Sequence, residues 1–175
     1  MTQLLQIAQL GAPVLRKVAK PVINIHERRI QMLIKDLLST MNDSDGVGIA
    51  APQVYKSYRI IIIASHPNNR YPDAPEMEPV VMINPSITSH SQTQVKGWEG
   101  CLSVPEIRGF IPRYRTITVS YADQFGNKKE QAFREFVARI VQHEIDHLDG
   151  KLFVDQVESS KDLISEKEYL KKFRS

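Results

Sequence analysis

The sequence predicts an α+β fold in which antiparallel strands partly enclose a long central helix, with an earlier helix packed outside. Three observations carry that prediction. Two segments place apolar residues at helical spacing, several strand-like runs lie between them, and a turn signal joins two of those runs as a hairpin. The chain has 175 residues, within the ~100–200 of a typical domain, so one domain is expected over 1–175, with the tail after about residue 157 unassigned. Hydrophobic types make up 42% and charged types 25%, the balance of a globular chain rather than a disordered one.

The elements follow in order. Leu10-Gly11-Ala12-Pro13-Val14-Leu15-Arg16 reads as a loop and a short turn of helix. Asn24 is the expected start of the first long helix, with Glu27 at capping-box spacing. Ile30, Leu33, Ile34, Leu37, Leu38 and Met41 then give it one buried face, and the turn formers Asn42 to Gly46 stop it. Arg59 to Ala64 and Val80 to Asn84 read as strands, the second ending at Pro85. His66 to Pro75 between them reads as a Pro- and Asn-rich surface loop. Arg115 to Tyr121 alternates, with Ile117, Val119 and Tyr121 on one face. Phe125-Gly126-Asn127 turns the chain into a return strand, Lys128 to Phe133. The second long helix is expected over Arg134–Asp149, with Gly150 as its C′ residue. Its apolar residues cover more than one stripe, so it should be buried on most sides. A last short helix, capped by Ser165 and Glu168, is expected in the tail.

Charge and cysteine usage exclude several classes. Lys and Arg number 23 against 20 Asp and Glu, a formal net charge of +3. That is too small an imbalance for a nucleic-acid footprint, so no specific reading of nucleic acid is expected. The longest apolar run, Ile60 to Ala64, is strand-sized and far short of a membrane span, so no membrane partner is expected. Met1 to Ile7 lacks the charged region of a signal peptide, which makes the cytoplasm the expected compartment. There the single cysteine, Cys101, would remain a thiol. It is either an inert buried group or a chemically employed one.

Chemistry enters with three polar residues in the buried helix. His143-Glu144-Ile145-Asp146-His147 is an HExxH pattern. Helical positions i and i+4 face the same way, so two imidazoles can share one metal ion, and Glu144 beside them can accept a proton from water on that metal. The central helix is therefore read as a metal-binding helix. A catalytic site needs a third protein ligand. A histidine six residues after His147 is excluded, because Phe153 stands there. Glu166 and Glu168 lie downstream on a Lys-rich tail read as exposed. Cys101 remains: alone a cysteine is more often inert, but beside an HExxH lacking a third ligand it becomes the candidate.

Three motifs in order resemble those of the peptide deformylase family. Gly46-Val47-Gly48-Ile49-Ala50-Ala51-Pro52-Gln53 is similar to its GxGxAAxQ, Glu99-Gly100-Cys101-Leu102-Ser103 to its EGCLS, and Gln142 to Leu148 to its QHExDHL. The resemblance covers roughly residues 5–155. It implies a metal-dependent hydrolase that removes the N-formyl group from the initiator methionine of new polypeptides, releasing formate. By matching motif position, Cys101, His143 and His147 are the implied metal ligands. Metal-bound hydroxide attacks the formyl carbonyl with Glu144 as general acid/base, and Gln53 and the Leu102 N–H stabilise the oxyanion. The implied metal is one divalent ion, Fe(II) favoured and Zn possible.

The resemblance also gives Gly48 and Gly100 the task of letting a peptide lie alongside as an added strand; otherwise they are turn glycines. Gln53, without the resemblance, could simply cap a strand. Val47, Phe136 and Ile140 are candidates for a methionine pocket, and plain core is the alternative. Arg139 interrupts the apolar lining sometimes seen at its position. Arg108 and Arg113 could hold the distal peptide or sit exposed, and Trp98 packs. Family members are thought to dock on the ribosome near the nascent-chain exit through a basic tail, with which Lys167, Lys171, Lys172 and Arg174 are compatible; a solvated charged face is the alternative. N-formylmethionyl peptides are the expected partners, and the expected state is a monomer. The rival readings are an HExxH zinc peptidase and a non-catalytic, metal-stabilised binding module.

Overall fold

The computed structural model describes residues 3–68 and 71–173. Met1, Thr2, Asn69, Arg70 and Arg174, which entered the sequence reading, lie outside the described residues. The organising element is strand β2 (Ile60–Ile63), whose four isoleucines are all buried. Side chains alternate along a strand, so Ile61 and Ile63 enter one apolar cluster while Ile60 and Ile62 enter another. An unbroken apolar run is what a strand covered on both faces requires.

The covering elements are the two long helices. Helix α1 (Arg28–Asp43) brings Ile30, Leu33, Ile34, Leu37 and Met41 to the side of Ile60 and Ile62. Helix α2 (Glu135–Leu148) packs Ala138, Ile140, Val141, Ile145 and Leu148 on the side of Ile61 and Ile63. The sheet between them has the order β1-β2-β3-β6-β7, all antiparallel. Its other strands are β1 (Gly48–Ala50), β3 (Val80–His90), β6 (Thr116–Ala122) and β7 (Lys128–Arg134). The expected hairpin is β6–β7, with Ile117, Val119 and Tyr121 turned into the α2 cluster. Helix α2 ends as expected: the N–H of Gly150 reaches the His147 carbonyl and that of Lys151 the Asp146 carbonyl, a Schellman closure. Gly150 has φ +72°, and a Cβ there would lie 2.9 Å from the Arg16 backbone.

A second antiparallel sheet, β4-β5-β8, closes the other side of α2. It is formed by β4 (Gln94–Cys101), β5 (Val104–Tyr114) and β8 (Leu163–Ser165). Its first two strands escape sequence reading because the start of β4 is solvent-exposed and glycines and charges interrupt any apolar alternation. Within each sheet one edge faces the HExxH helix region: β1 is the edge of the larger sheet and β4 the edge of the smaller. The tail ends in α3 (Glu166–Phe173), where the Ser165 hydroxyl accepts the Glu168 N–H at 3.3 Å, as the cap spacing predicts.

Two expected boundaries shift. Helix α1 starts at Arg28, not Asn24, because the Asn24 side chain closes a local turn by accepting the His26 N–H at 3.1 Å. Strand β3 does not end at Pro85. Asn84 adopts φ +52°, the pairing with β6 shifts register between Ile83 and Ser86, and the strand continues to His90. Placing the proline at this irregularity spares the ladder a missing donor. The Asn84 amide accepts the Val22 N–H at 2.8 Å and donates to the Val22 carbonyl at 2.9 Å. Asn84→Ala should therefore lower stability by about 1–3 kcal/mol, from two lost hydrogen bonds and a left-handed backbone without asparagine; urea unfolding of the two proteins measures this.

Candidate metal centre and active site

The sequence motifs converge on the space between the edges of β1 and β4, over the middle of α2. Val47, Gly48, Gln53, Gly100, Cys101, Leu102, Phe136, Ile140, His143 and Glu144 all line one pocket. His147 lies one turn below, buried. Helix α2 presents His143 and His147 on one face with ring centroids 5.0 Å apart. The end of β4 brings Cys101 to them, its Sγ 3.3 Å from His147 Nε2. One ligand atom from each of Cys101, His143 and His147 lies within 4.8 Å of the others.

These residues fit a divalent cation. Bonds of about 2.0–2.3 Å put tetrahedral ligand atoms roughly 3.5 Å apart, and the donor set of one sulfur and two imidazoles is suitable. Burial opposes a charge on Cys101, yet the His147 charge and the hydrogen bonds of both imidazoles hold its thiol well below its ordinary value. The thiolate is the ligating form. Burial also disfavours the imidazolium of His143, but bonds to Cys101 and Glu99 hold its pKa well above the ordinary value. Binding a cation would release that proton.

Glu99 supports the centre from behind, a role the sequence reading missed although the residue stands in the EGCLS motif. Its Oε2 lies 2.9 Å from His143 Nδ1, which orients the ring so that Nε2 faces the sulfur. Arg113 donates to both Glu99 oxygens at 2.8 and 3.0 Å, and Arg139 to Oε1 at 2.9 Å. Burial works against the Glu99 charge, but Arg113 and His143 hold the carboxyl well below the usual carboxylate range. Arg113 also reaches Asp146 at 2.6 Å, tying β5 to the HExxH helix. Neither Arg113 nor Arg108 is exposed: both are buried in ion pairs. Arg139 also lines the pocket, and its guanidinium bonds the carbonyls of Val95 and Ile111. It lies so close to β4 that a Cβ on Gly97 would come within 2.9 Å of its guanidinium.

Glu144 stands on the pocket beside the Cys101, His143 and His147 cluster. Burial pushes its carboxyl up to about 7, which the nearby imidazoles oppose only in part. Its Oε2 is buried with no hydrogen-bond partner among the described residues. Gly48 makes room for it, since a Cβ there would lie 2.5 Å from Glu144 Oε1. Gln53 accepts the Ala50 N–H through Oε1 at 2.8 Å. That leaves its amide N–H groups directed at Ser103 Oγ, 3.2 Å, and Cys101 Sγ, 3.5 Å.

Tyr71 is a further pocket residue that sequence reasoning missed, because its Pro- and Asn-rich loop reads as surface. Its ring packs 5.0 Å from Phe136 and its hydroxyl accepts the Gly100 N–H at 3.1 Å. The tail is likewise not simply exposed. Glu166 pairs bidentately with the fully buried Arg108 at 2.6 and 2.7 Å.

An HExxH helix, a neighbouring thiolate and a buried carboxylate on one pocket define a hydrolase that works with a divalent cation. The chain belongs to the polypeptide deformylase family, whose model matches residues 4–163. Among curated relatives, peptide deformylase 2 of Nostoc sp. is 59% identical over 95% of this chain and 93% of its own. Peptide deformylase 1 of Bordetella pertussis is 42% identical over 86% of each. A Met-Ala-Ser-bound crystal structure of a class I type b peptide deformylase from Acinetobacter baumannii superposes with a TM-score of 0.87 at 47% identity. It covers 90% of this chain and all of that one.

Glu99→Gln removes the carboxylate from three cationic partners. It should destabilise the fold by about 3–5 kcal/mol and weaken metal affinity about 10- to 100-fold through the disoriented His143. Thermal melting and a competitive chelator titration give the two quantities separately.

Proposed function

We propose that the chain removes the N-formyl group from methionyl peptides, with Cys101, His143 and His147 as metal ligands. The observation that carries this reading is the buried Oε2 of Glu144, without a hydrogen-bond partner among the described residues, on the pocket beside the ligand set. A structural metal site has no use for such a base. Family membership supplies the substrate class, and the motif match over 4–163 supports reading that region as the catalytic domain.

A divalent cation held there would lower the pKa of a bound water and place positive charge beside the carbonyl to be attacked. Glu144 takes the proton of the attacking water and passes it to the departing amine as the formyl C–N bond breaks. Its raised pKa suits both steps. The Gln53 amide and the Leu102 backbone N–H donate to the carbonyl oxygen as it becomes negative. The products are formate and a free amino terminus.

The two sheet edges beside the pocket suit an extended peptide, which would add as a strand and be read through its main chain. Gly48 and Gly100 lie on those edges. Main-chain reading is blind to the second and third residues, and Val47, Phe136 and Ile140 offer the apolar wall for methionine. Sulfur and imidazole donors suit Fe(II) or Zn, and Fe(II) is the proposed working ion. No helix among the described residues is long and apolar enough to cross a membrane. A cytoplasmic monomer is the proposed state, supported by the lone free thiol. The lysines of α3 carry the proposed contact with the ribosome.

Formate release from a formyl-methionyl dipeptide, with no cleavage of the unformylated peptide, is the expected outcome; peptide-bond cleavage instead would sink this reading. Glu144→Ala should retain its metal and lose about 10²–10⁴-fold in rate. Cys101→Ala should lose the metal itself, as elemental analysis of the purified variant would show. Gly48→Ala should displace Glu144 and lower kcat at least 10-fold, a size set by disturbed positioning of the base, while metal content stays unchanged.

A further inference from the structure

The family model ends at residue 163, yet the segment beyond it reaches toward the pocket. Strand β8 pairs with β5 so that Arg108 stands opposite Ile164. Arg108 has no exposed surface, and its guanidinium is gripped by both oxygens of Glu166. It also lies 4.2 Å from the ring centroid of Tyr169 and 5.3 Å from that of Tyr71. Tyr71 carries the contact into the pocket, where its hydroxyl occupies the N–H of Gly100. Gly100 lies on β4, the edge strand, and a peptide added to that edge needs that N–H.

We propose that the tail from Leu163 to Phe173 sets peptide affinity by holding Tyr71, through Arg108, on the Gly100 N–H, so that an incoming peptide competes with the tyrosine hydroxyl. This rests on the reading of β4 as the peptide-receiving edge. The Glu166 carboxylate offsets the cost of withdrawing this guanidinium from water, and loss of that charge weakens its hold on the buried position. Tyr71 then loses the cation its ring rests against, and its hydroxyl yields Gly100 more readily. Glu166 and Tyr169 are thus positioning residues, acting through Arg108 and Tyr71.

The molecule carries its own reporter. Trp98 is the only tryptophan, and its ring lies 5.6 Å from Tyr169 and 5.8 Å from Phe173, so its emission reads whether the tail is docked. Glu166→Gln should red-shift that emission and lower KM for a formyl-methionyl tripeptide about two- to tenfold, the worth of one hydrogen bond. Tyr71→Phe should lower KM equally with unchanged Trp98 emission, and the double variant should go no further. Both should bind an unformylated methionyl tripeptide more tightly by calorimetry. If Glu166→Gln fails to fold or keeps the tail docked, Tyr169→Leu carries the same expectations. An undocked tail with KM unchanged or raised, or an effect on kcat alone, overturns the proposal. If the parent protein releases no formate, the deformylase reading fails while tripeptide affinity still reports on the tail; unchanged tripeptide affinity in every variant overturns the tail proposal alone.

Discussion

The buried carboxylate of Glu99 is the contact on which the site and its walls depend. It sits on β4, and the cations around it come from β5 through Arg113 and from α2 through Arg139 and His143. This negative charge, together with the Arg113–Asp146 pair, ties the smaller sheet to the HExxH helix, and it orients the His143 ring. Withdrawn from water, such a charge is tolerated only when fully paired, and its partners are equally bound to it. The arrangement is rigid for that reason. The neighbouring Cys101 is carried on the same strand, so the charge that positions one candidate ligand also positions the strand that delivers another.

The two sheets matter through their edges as much as through their cores. Strand β1 ends one sheet and β4 the other, and α2 runs beneath both. An unpaired strand edge is usually an aggregation hazard. In this protein one edge is covered by Tyr71 at Gly100, and the other is short, only Gly48 to Ala50. Under the proposed function, the same edges would offer main-chain donors and acceptors to an extended peptide. The glycines serve close approach in a second sense: Gly48 admits the Glu144 carboxylate, and Gly97 admits the Arg139 guanidinium.

Much of this was legible in the sequence. The isoleucine run, the amphipathic first helix, the β6–β7 hairpin and the Gly150 helix stop are local patterns, and local patterns survive in one dimension. The HExxH spacing is local too, because a helix alone brings i and i+4 together. Strands β4 and β5 were not legible, since glycines, arginines and one solvent-exposed face leave no period to count. The continuation of β3 past Pro85 depended on a side-chain clamp from Asn84 onto Val22, which no neighbouring residue announces. Arg108, Arg113 and Glu166 look like surface charges until their partners are known.

The sequence by itself determined the candidate ligand set, the HExxH carboxylate, the two helices and the central strand, because each follows from residue chemistry at short spacing. Only the tertiary structure decided which charges are buried and what they hold. Glu99 and Arg113 are 14 residues apart, Arg113 and Asp146 33, Arg108 and Glu166 58. An ion pair leaves no periodic trace at such separations. Its energy depends on burial and geometry, and both exist only once the strands have paired and the tail has folded back over β5.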